Sequence, residues 1–139
     1  MPRREIFRLA RNEDGSRISE LLQGMGFQVC GIDWSCCVEN NWIVAENQDG
    51  KIIGNIQIIL GQPIGWLELM AVDQGLLHHQ KARVVKGLLE QGILMLSAFN
   101  CQAVMGVVPD ELESYRGILD RFLGAVDTGH GIVMAKRLV

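Results

Sequence analysis

A single mixed α/β domain, with a central and mostly antiparallel sheet of about six to seven strands flanked by helices, is the fold class that this sequence predicts. Two β-rich runs, Trp42 to Asn47 and Ile52 to Leu60, flank the turn residues Asp49-Gly50, which is a hairpin signal. The run Trp66 to Val72 is apolar on both strand faces, with Trp66, Glu68, Met70 and Val72 pointing one way and Leu67, Leu69 and Ala71 the other. Such a strand is central. A helix and another buried strand follow it, giving one βαβ crossover in an order that is otherwise antiparallel.

From the N-terminus, Phe7 to Arg11 alternates as a short first strand, and Asp14-Gly15-Ser16 offers a helix start. Ile18, Leu21, Leu22 and Met25 share one stripe of that helix, which stops near Gly24 or Gly26. Phe27 to Asn41 has mixed polarity, Trp34 and three of the cysteines; a short second helix and an irregular loop facing a cleft both fit. Gly54 interrupts the second hairpin strand and marks a bulge or the close approach of another element. Gln62-Pro63-Ile64-Gly65 turns the chain into the central strand, Leu67 to Val72. Asp73 to Arg83 is polar and basic and reads as a loop that includes His78 and His79; the long helix, Val84 to Phe99, begins near Arg83. Its Gly87 and Gly92 each cost up to about 1 kcal/mol relative to Ala, which close packing on a sheet or ligand would offset. Gln102 to Val108 is a buried strand. Pro109 opens the last helix with a capping box from Asp110 to Glu113, and Leu112, Tyr115, Leu119, Phe122 and Leu123 form its apolar face. Ala125 to Val139 closes the chain as two strands around Gly129-His130-Gly131.

At 139 residues the chain suits one core, so residues 1–139 are read as a single domain. With 48% hydrophobic and 21% charged residues the composition is globular, which excludes a disordered chain. A net charge of -3 argues against a broad nucleic-acid surface, although Lys81, Arg83 and Lys86 form a local basic cluster. No apolar run approaches the roughly 18 to 20 residues of a membrane span, and no apolar signal region follows MPRREIF. The cytoplasm is therefore the expected location. Cys30, Cys36, Cys37 and Cys101 lack C-x-x-C spacing and are expected to be reduced. A zinc site built from Cys36, Cys37, His78 and His79 would require neighbouring side chains to converge on one ion, so no metal is expected.

The functional signal concentrates between Trp66 and Leu89. Strand, cationic loop and helix make an anion-cradling arrangement, because the first N–H groups of a helix lack internal partners and carry partial positive charge. Glu68 is a carboxylate on an otherwise apolar strand and needs a partner, a raised pKa or access to water. With FRLARNEDGSRISELL as opening strand and helix, WIVAENQDGKIIGNIQI as hairpin, and LELMAVDQGLLHHQKARVVKGLL as strand, loop and helix, the chain resembles the GNAT superfamily of acyl-CoA-dependent N-acyltransferases over nearly its full length.

That resemblance implies acetyl-CoA as co-substrate, held by Met70, Ala71 and Val72 and by a pyrophosphate loop at Gln80, Lys81, Ala82, Arg83, Val84 and Val85. Aligning Gly87-Leu88-Leu89 with the family's helix puts Gln80 at the loop's first position, but Arg83 and Val85 where the family has glycine. Glycine there lets the backbone approach the pyrophosphate; here Lys81, Arg83 and Lys86 would supply charge instead, or form a plain surface cluster. The implied chemistry is direct attack of an amine on the thioester, with a base for the amine's proton and an acid for the leaving thiolate. Strand N–H groups near Met70 to Val72 would polarise the acyl carbonyl. Glu68 is the candidate base, directly or through water; the alternative is a carboxylate paired with an Arg or placed at a sheet edge. The family's acid is usually a Tyr in the last helix, where this chain has Asp120 or Arg121, and Tyr115 lies about one turn earlier, either as the acid or as a core residue. His130 is a substrate-pocket candidate or a solvated turn residue.

Three functions compete: an N-acyltransferase acting on a primary amine of a small molecule or a protein; a catalytically silent GNAT-like module that binds CoA or a protein partner; and an unrelated mixed α/β domain. The sequence does not name the amine. No nucleic-acid or membrane partner is expected, and a homodimer is left open.

Overall fold

Seven strands form one sheet in the order β1-β2-β3-β4-β5-β7-β6, in a computed structural model that describes residues 4–29, 41–107, 126–127 and 133–137. The strands are β1 (Ile6–Leu9), β2 (Trp42–Glu46), β3 (Ile52–Ile59), β4 (Ile64–Val72), β5 (Ala103–Val107), β6 (Val126–Asp127) and β7 (Val133–Arg137). Neighbours run antiparallel except β4 and β5, which are parallel and joined by helix α2 (His78–Ala98). The expected crossover is therefore present, and β4 is the middle strand of the sheet. Helix α1 (Gly15–Gly24) lies between β1 and β2 in sequence. The expected last helix from Pro109, the segment with Trp34, Cys30, Cys36 and Cys37, and the turn with His130 lie outside the described residues.

The hairpin forms where Asp49-Gly50 predicts it. The Asn47 side chain accepts the N–H groups of Asp49 at 3.0 Å and Lys51 at 2.9 Å, and Gly50 takes the positive φ of 81° that the turn needs. The irregularity expected at Gly54 is both a bulge and a close approach. The register of β2 and β3 shifts beside it, and a Cβ on Gly54 would stand 2.7 Å from Val84 Cγ1 on α2. Gly87 and Gly92 answer in kind: a Cβ on Gly87 would run into the Phe7 ring, and one on Gly92 would stand 2.6 Å from Leu67 Cδ2.

Phe7 thus faces α2. Its neighbour Arg8 points to the opposite side of the sheet, where α1 begins, and there it joins Asp14 and Glu46. Helix α1 starts at Gly15 with Asp14 at its N-cap position, as the sequence implies, but the Asp14 side chain makes no cap hydrogen bond to that helix. A 3₁₀ turn, Asn12–Asp14, comes first, and the Asp14 carboxylate reaches back to accept the Arg11 N–H at 2.8 Å while Arg8 grips it at 2.8 and 3.1 Å. Ile18, Leu21, Leu22 and Met25 are all buried, as the helical stripe requires.

The start of α2 corrects a boundary. It begins at His78, five residues before the expected Arg83, so His78 and His79 are its first two residues and not part of a loop. The reason is legible in burial: His78, His79 and Arg83 are exposed, whereas Val84, Val85, Leu88 and Leu89 are buried. A solvated first turn carries little apolar periodicity, so the pattern shows the helix only where it meets the sheet. Among the described residues no helix is long and apolar enough to cross a membrane.

Burial pushes the Asp14 carboxyl up, but the Arg8 hydrogen bonds and the Arg11 N–H outweigh it and hold the group below its usual value. A carboxylate depressed on folding adds stability above its unfolded pKa and loses it as pH falls through the folded one. Asp14 therefore contributes fully above about pH 4. Asp14→Asn is expected to lower the unfolding free energy by about 2 kcal/mol at neutral pH, and the gap from wild type should close in acid; urea melts across pH check both.

Candidate active site

Strand β4 changes character in its middle. Gln57 pairs with Glu68 and Asn55 with Ala71, so the single residue Ile56 faces two, Leu69 and Met70. Leu69 adopts a φ of 48° in this bulge, a left-handed backbone that costs a non-glycine residue about 1–3 kcal/mol. The extra residue also resets the strand's faces. Glu68 stays opposite Leu67, but Ala71 now shares the Glu68 side, and Val72, paired with Gly54, turns with Leu67 toward α2. This corrects the unbroken alternation that the sequence implies.

The other edge of β4 opens at the same place. Rungs with β5 run from Ile64–Ala103 to Leu67–Gly106 and stop, so Glu68 to Val72 has no ladder partner on that edge among the described residues. At the last rung a Cβ on Gly106 would meet the Leu67 carbonyl oxygen at 2.7 Å, so a side chain there would crowd β4. Beyond it the Val72 carbonyl accepts the Gln74 side-chain amide at 3.0 Å. The stretch Met70, Ala71 and Val72, expected to polarise a carbonyl, lies beside this open edge.

Glu68 sits at the start of the opening, half-buried. Among the described residues it forms no ion pair and no side-chain hydrogen bond, so the arginine partner that would make it structural is not found there. Tyr115, Asp120 and Arg121 lie outside the described residues, as does His130.

A short turn, not a long loop, joins β4 to α2. Asp73 organises it: its N–H bonds to Ile53 O, its carboxylate accepts the Gly75 N–H at 2.8 Å, and its carbonyl accepts Leu76 N–H at 3.2 Å. Arg17 of α1 binds the same carboxylate at 2.9 Å and Lys51 lies 3.5 Å away. Burial raises the Asp73 pKa, but the Gly75 N–H and the charges of Lys51 and Arg17 outweigh it and leave the group below its ordinary value. Helix α2 then starts with the N–H groups of His78, His79 and Gln80, which have no acceptor four residues back within the helix. The Gln80 side chain accepts the Leu77 N–H at 3.0 Å, and Lys81 Nζ approaches the Gln74 side-chain oxygen at 3.4 Å.

Gln80, Lys81, Ala82, Arg83, Val84 and Val85, the expected cradle, are all helical. The amides of Arg83, Val84 and Val85 fall beyond the first turn, where i−4 bonds occupy them. Val84 and Val85 are buried against the sheet. Arg83 forks onto Glu5, with contacts of 2.6, 2.9 and 3.0 Å, and this hydrogen bonding holds the Glu5 carboxyl below its usual pKa. The leading amides of α2 thus lie upstream of the aligned glycine positions Arg83 and Val85.

Sequence reasoning passed over Asn55, Arg17, Asp73 and Gln74. Asn55 is fully buried, and its side-chain amide donates to the Leu69 carbonyl at 3.0 Å. Its only signal is a polar residue in the middle of the apolar run IIGNIQIIL. Among the described residues, no group of three His, Cys, Asp or Glu could hold a metal ion.

No family model matches this sequence, and no curated protein matches it. Solved structures do match its fold. A GNAT-family acetyltransferase from Staphylococcus aureus aligns with TM-score 0.73 and 16% identity over 97% of this chain and 99% of its own. A Mycobacterium tuberculosis protein in complex with CoA aligns with TM-score 0.70 and 18% identity, over 96% and 99%. A putative acetyltransferase from Salmonella typhimurium, solved with acetyl-CoA, aligns with TM-score 0.70 and 14% identity, over 99% and 95%.

The Arg83–Glu5 fork is half exposed on the arginine side, which limits its worth to about 0.2–1 kcal/mol. Arg83→Glu sets two carboxylates together and should lower the urea midpoint; adding Glu5→Arg should recover most of the loss. A charge-swapped double variant no more stable than Arg83→Glu would show that the fork contributes nothing to the fold.

Proposed function

We propose that this chain, which has the GNAT fold, is an acyl-CoA-dependent N-acyltransferase that uses acetyl-CoA to acylate a primary amine of a small molecule or a protein. The observation that carries the reading is the middle of β4. A bulge and, among the described residues, an edge without ladder partners and a carboxylate without an ion pair or side-chain hydrogen bond fall within the five residues from Glu68 to Val72. A strand that served only to pack would have no need of any of the three.

In this reading acetyl-CoA supplies the activated acyl group as a thioester. The open edge at Met70, Ala71 and Val72 offers backbone groups to its carbonyl, and donors placed in advance around a developing oxyanion lower the barrier with little reorganisation. The leading amides of α2 at His79 and Gln80 would take the pyrophosphate, assisted by Lys81. Arg83 is committed to Glu5 and contributes charge only if that fork opens. The amine nitrogen attacks the thioester carbon and the carbon–sulfur bond breaks. Glu68 takes the amine's proton, directly or through one water, and the departing sulfur receives a proton for which Tyr115 is the candidate donor.

A catalytically silent module that binds CoA or a protein partner is the second reading. The side chains at Arg83 and Val85, in place of the family's glycines, favour it. Turnover with a panel of amines separates the two.

Acetyl-CoA at 100 times its dissociation constant is expected to stabilise the protein by about 2.7 kcal/mol, read as a thermal shift. No shift at millimolar acetyl-CoA would remove the acyltransferase reading and the CoA-binding form of the second, leaving only a protein-partner module. Glu68→Gln is expected to keep the melting temperature and CoA affinity yet slow turnover by about 10²- to 10⁴-fold. The deficit should shrink as pH approaches the amine's own pKa, where the substrate loses its proton unaided. A destabilised Gln variant with full activity would take Glu68 out of the mechanism.

A further inference from the structure

We infer that Asn55 is a positioning residue of the acyl site: by holding the Leu69 carbonyl it fixes the β4 bulge, and with it the direction of the Met70 to Val72 backbone groups that would meet the thioester. The inference rests on the acyltransferase reading and adds to it a residue that touches neither substrate.

The bulge creates the need that Asn55 meets. Two residues of β4 share one partner on β3, which takes a residue's backbone groups out of the ladder. The Asn55 side-chain amide supplies a donor to Leu69 O at 3.0 Å. Because that acceptor is a carbonyl, the Asn55 nitrogen must face it, which settles the orientation of the amide. Asn55 is itself paired with Ala71, so one residue grips β4 on both sides of the irregularity, by its place in the ladder at Ala71 and by its side chain at Leu69.

Packing does not account for an asparagine here. Asn55 is 0% exposed, and its Oδ1 has no hydrogen-bond partner among the described residues. An apolar side chain would fill the same space without leaving an acceptor unpaired. Nor does local preference account for Leu69, whose φ of 48° glycine would adopt freely. Both residues are locally unfavourable, and the bond between them is what joins the two exceptions. An irregularity fixed in this way is held at a set angle, as the alignment of reacting atoms requires.

Isotope-edited infrared spectroscopy of bound acetyl-CoA tests the assignment without knowledge of the amine. In the wild type the bound acetyl carbonyl band should be displaced to lower frequency from that of free acetyl-CoA. In Asn55→Ala it should return most of the way, with CoA affinity unchanged. Adding Leu69→Gly to that variant should recover part of the displacement, since glycine keeps the left-handed backbone without the clamp. With an amine that the wild type acylates, kcat should fall on the order of 10²-fold while KM for acetyl-CoA holds. Asn55→Thr, which retains a strand-favouring residue but shortens the reach, replaces Asn55→Ala if the latter does not fold. A folded Asn55 variant with the wild-type band would overturn the assignment alone, as would a wild type that binds acetyl-CoA with an undisplaced band. Failure of the wild type to bind acetyl-CoA would overturn the acyltransferase reading and the assignment together.

Discussion

The proposed site is organised by the point at which β4 loses a ladder neighbour among the described residues. At Trp66 and Leu67 the strand is paired on both sides, with β3 and β5; past Leu67 only β3 pairs with it among the described residues. A buried backbone N–H or C=O without a partner costs about 1–3 kcal/mol, so an unpaired edge in the middle of a sheet must be compensated nearby. The Gln74 side chain takes the Val72 carbonyl and the Asn55 side chain takes the Leu69 carbonyl. The first lies past the last β5 rung and the second answers the bulge on the β3 side, so side chains take up backbone groups at two different irregularities of β4.

The turn that follows is held from three directions. Arg17 of α1 bonds both the Ile52 carbonyl of β3 and the Asp73 carboxylate at the end of β4, and Lys51 approaches that carboxylate from the hairpin. Asp73 spends its other oxygen on the Gly75 N–H. Exposed pairs of this kind are individually weak, but here one carboxylate fixes the path from strand to helix. The helix start then needs little loop, and the first amides of α2 come within a few residues of the open edge.

Much of the fold was legible because its signals are local. The Asp49-Gly50 turn, the doubly apolar run at Trp66 to Val72 and the apolar stripe of α1 each depend on near neighbours in sequence. The register of the helix start was not legible, since His78, His79 and Arg83 are exposed and His78 to Arg83 carry no apolar period that points to the sheet. The bulge was hidden for a related reason: Leu69 is an ordinary strand residue by composition, and only its pairing with β3 shows that the face alternation slips by one. Of the candidate site, Glu68 stood out because a lone carboxylate breaks an apolar run. Asn55 did the same on β3, yet an amide is less costly to bury than a charge and so drew less notice.

The glycines along α2 and the sheet have one more effect. Val84 and Leu88 sit over Gly54, Leu96 over Gly65, Gly92 over Leu67 and Gly87 over Phe7. Knob and hollow therefore alternate between helix and sheet, in the manner of a key cut to its lock. Sliding α2 by one turn along its axis would drive knobs onto filled positions in several places at once, so the helix has a single axial setting. In the proposed reading its leading amides do not work like a piston that follows the ligand. Adjustment on binding would fall to the Asp73 turn and to the exposed side chains at the start of α2, while the helix behind them stays as a fixed anvil.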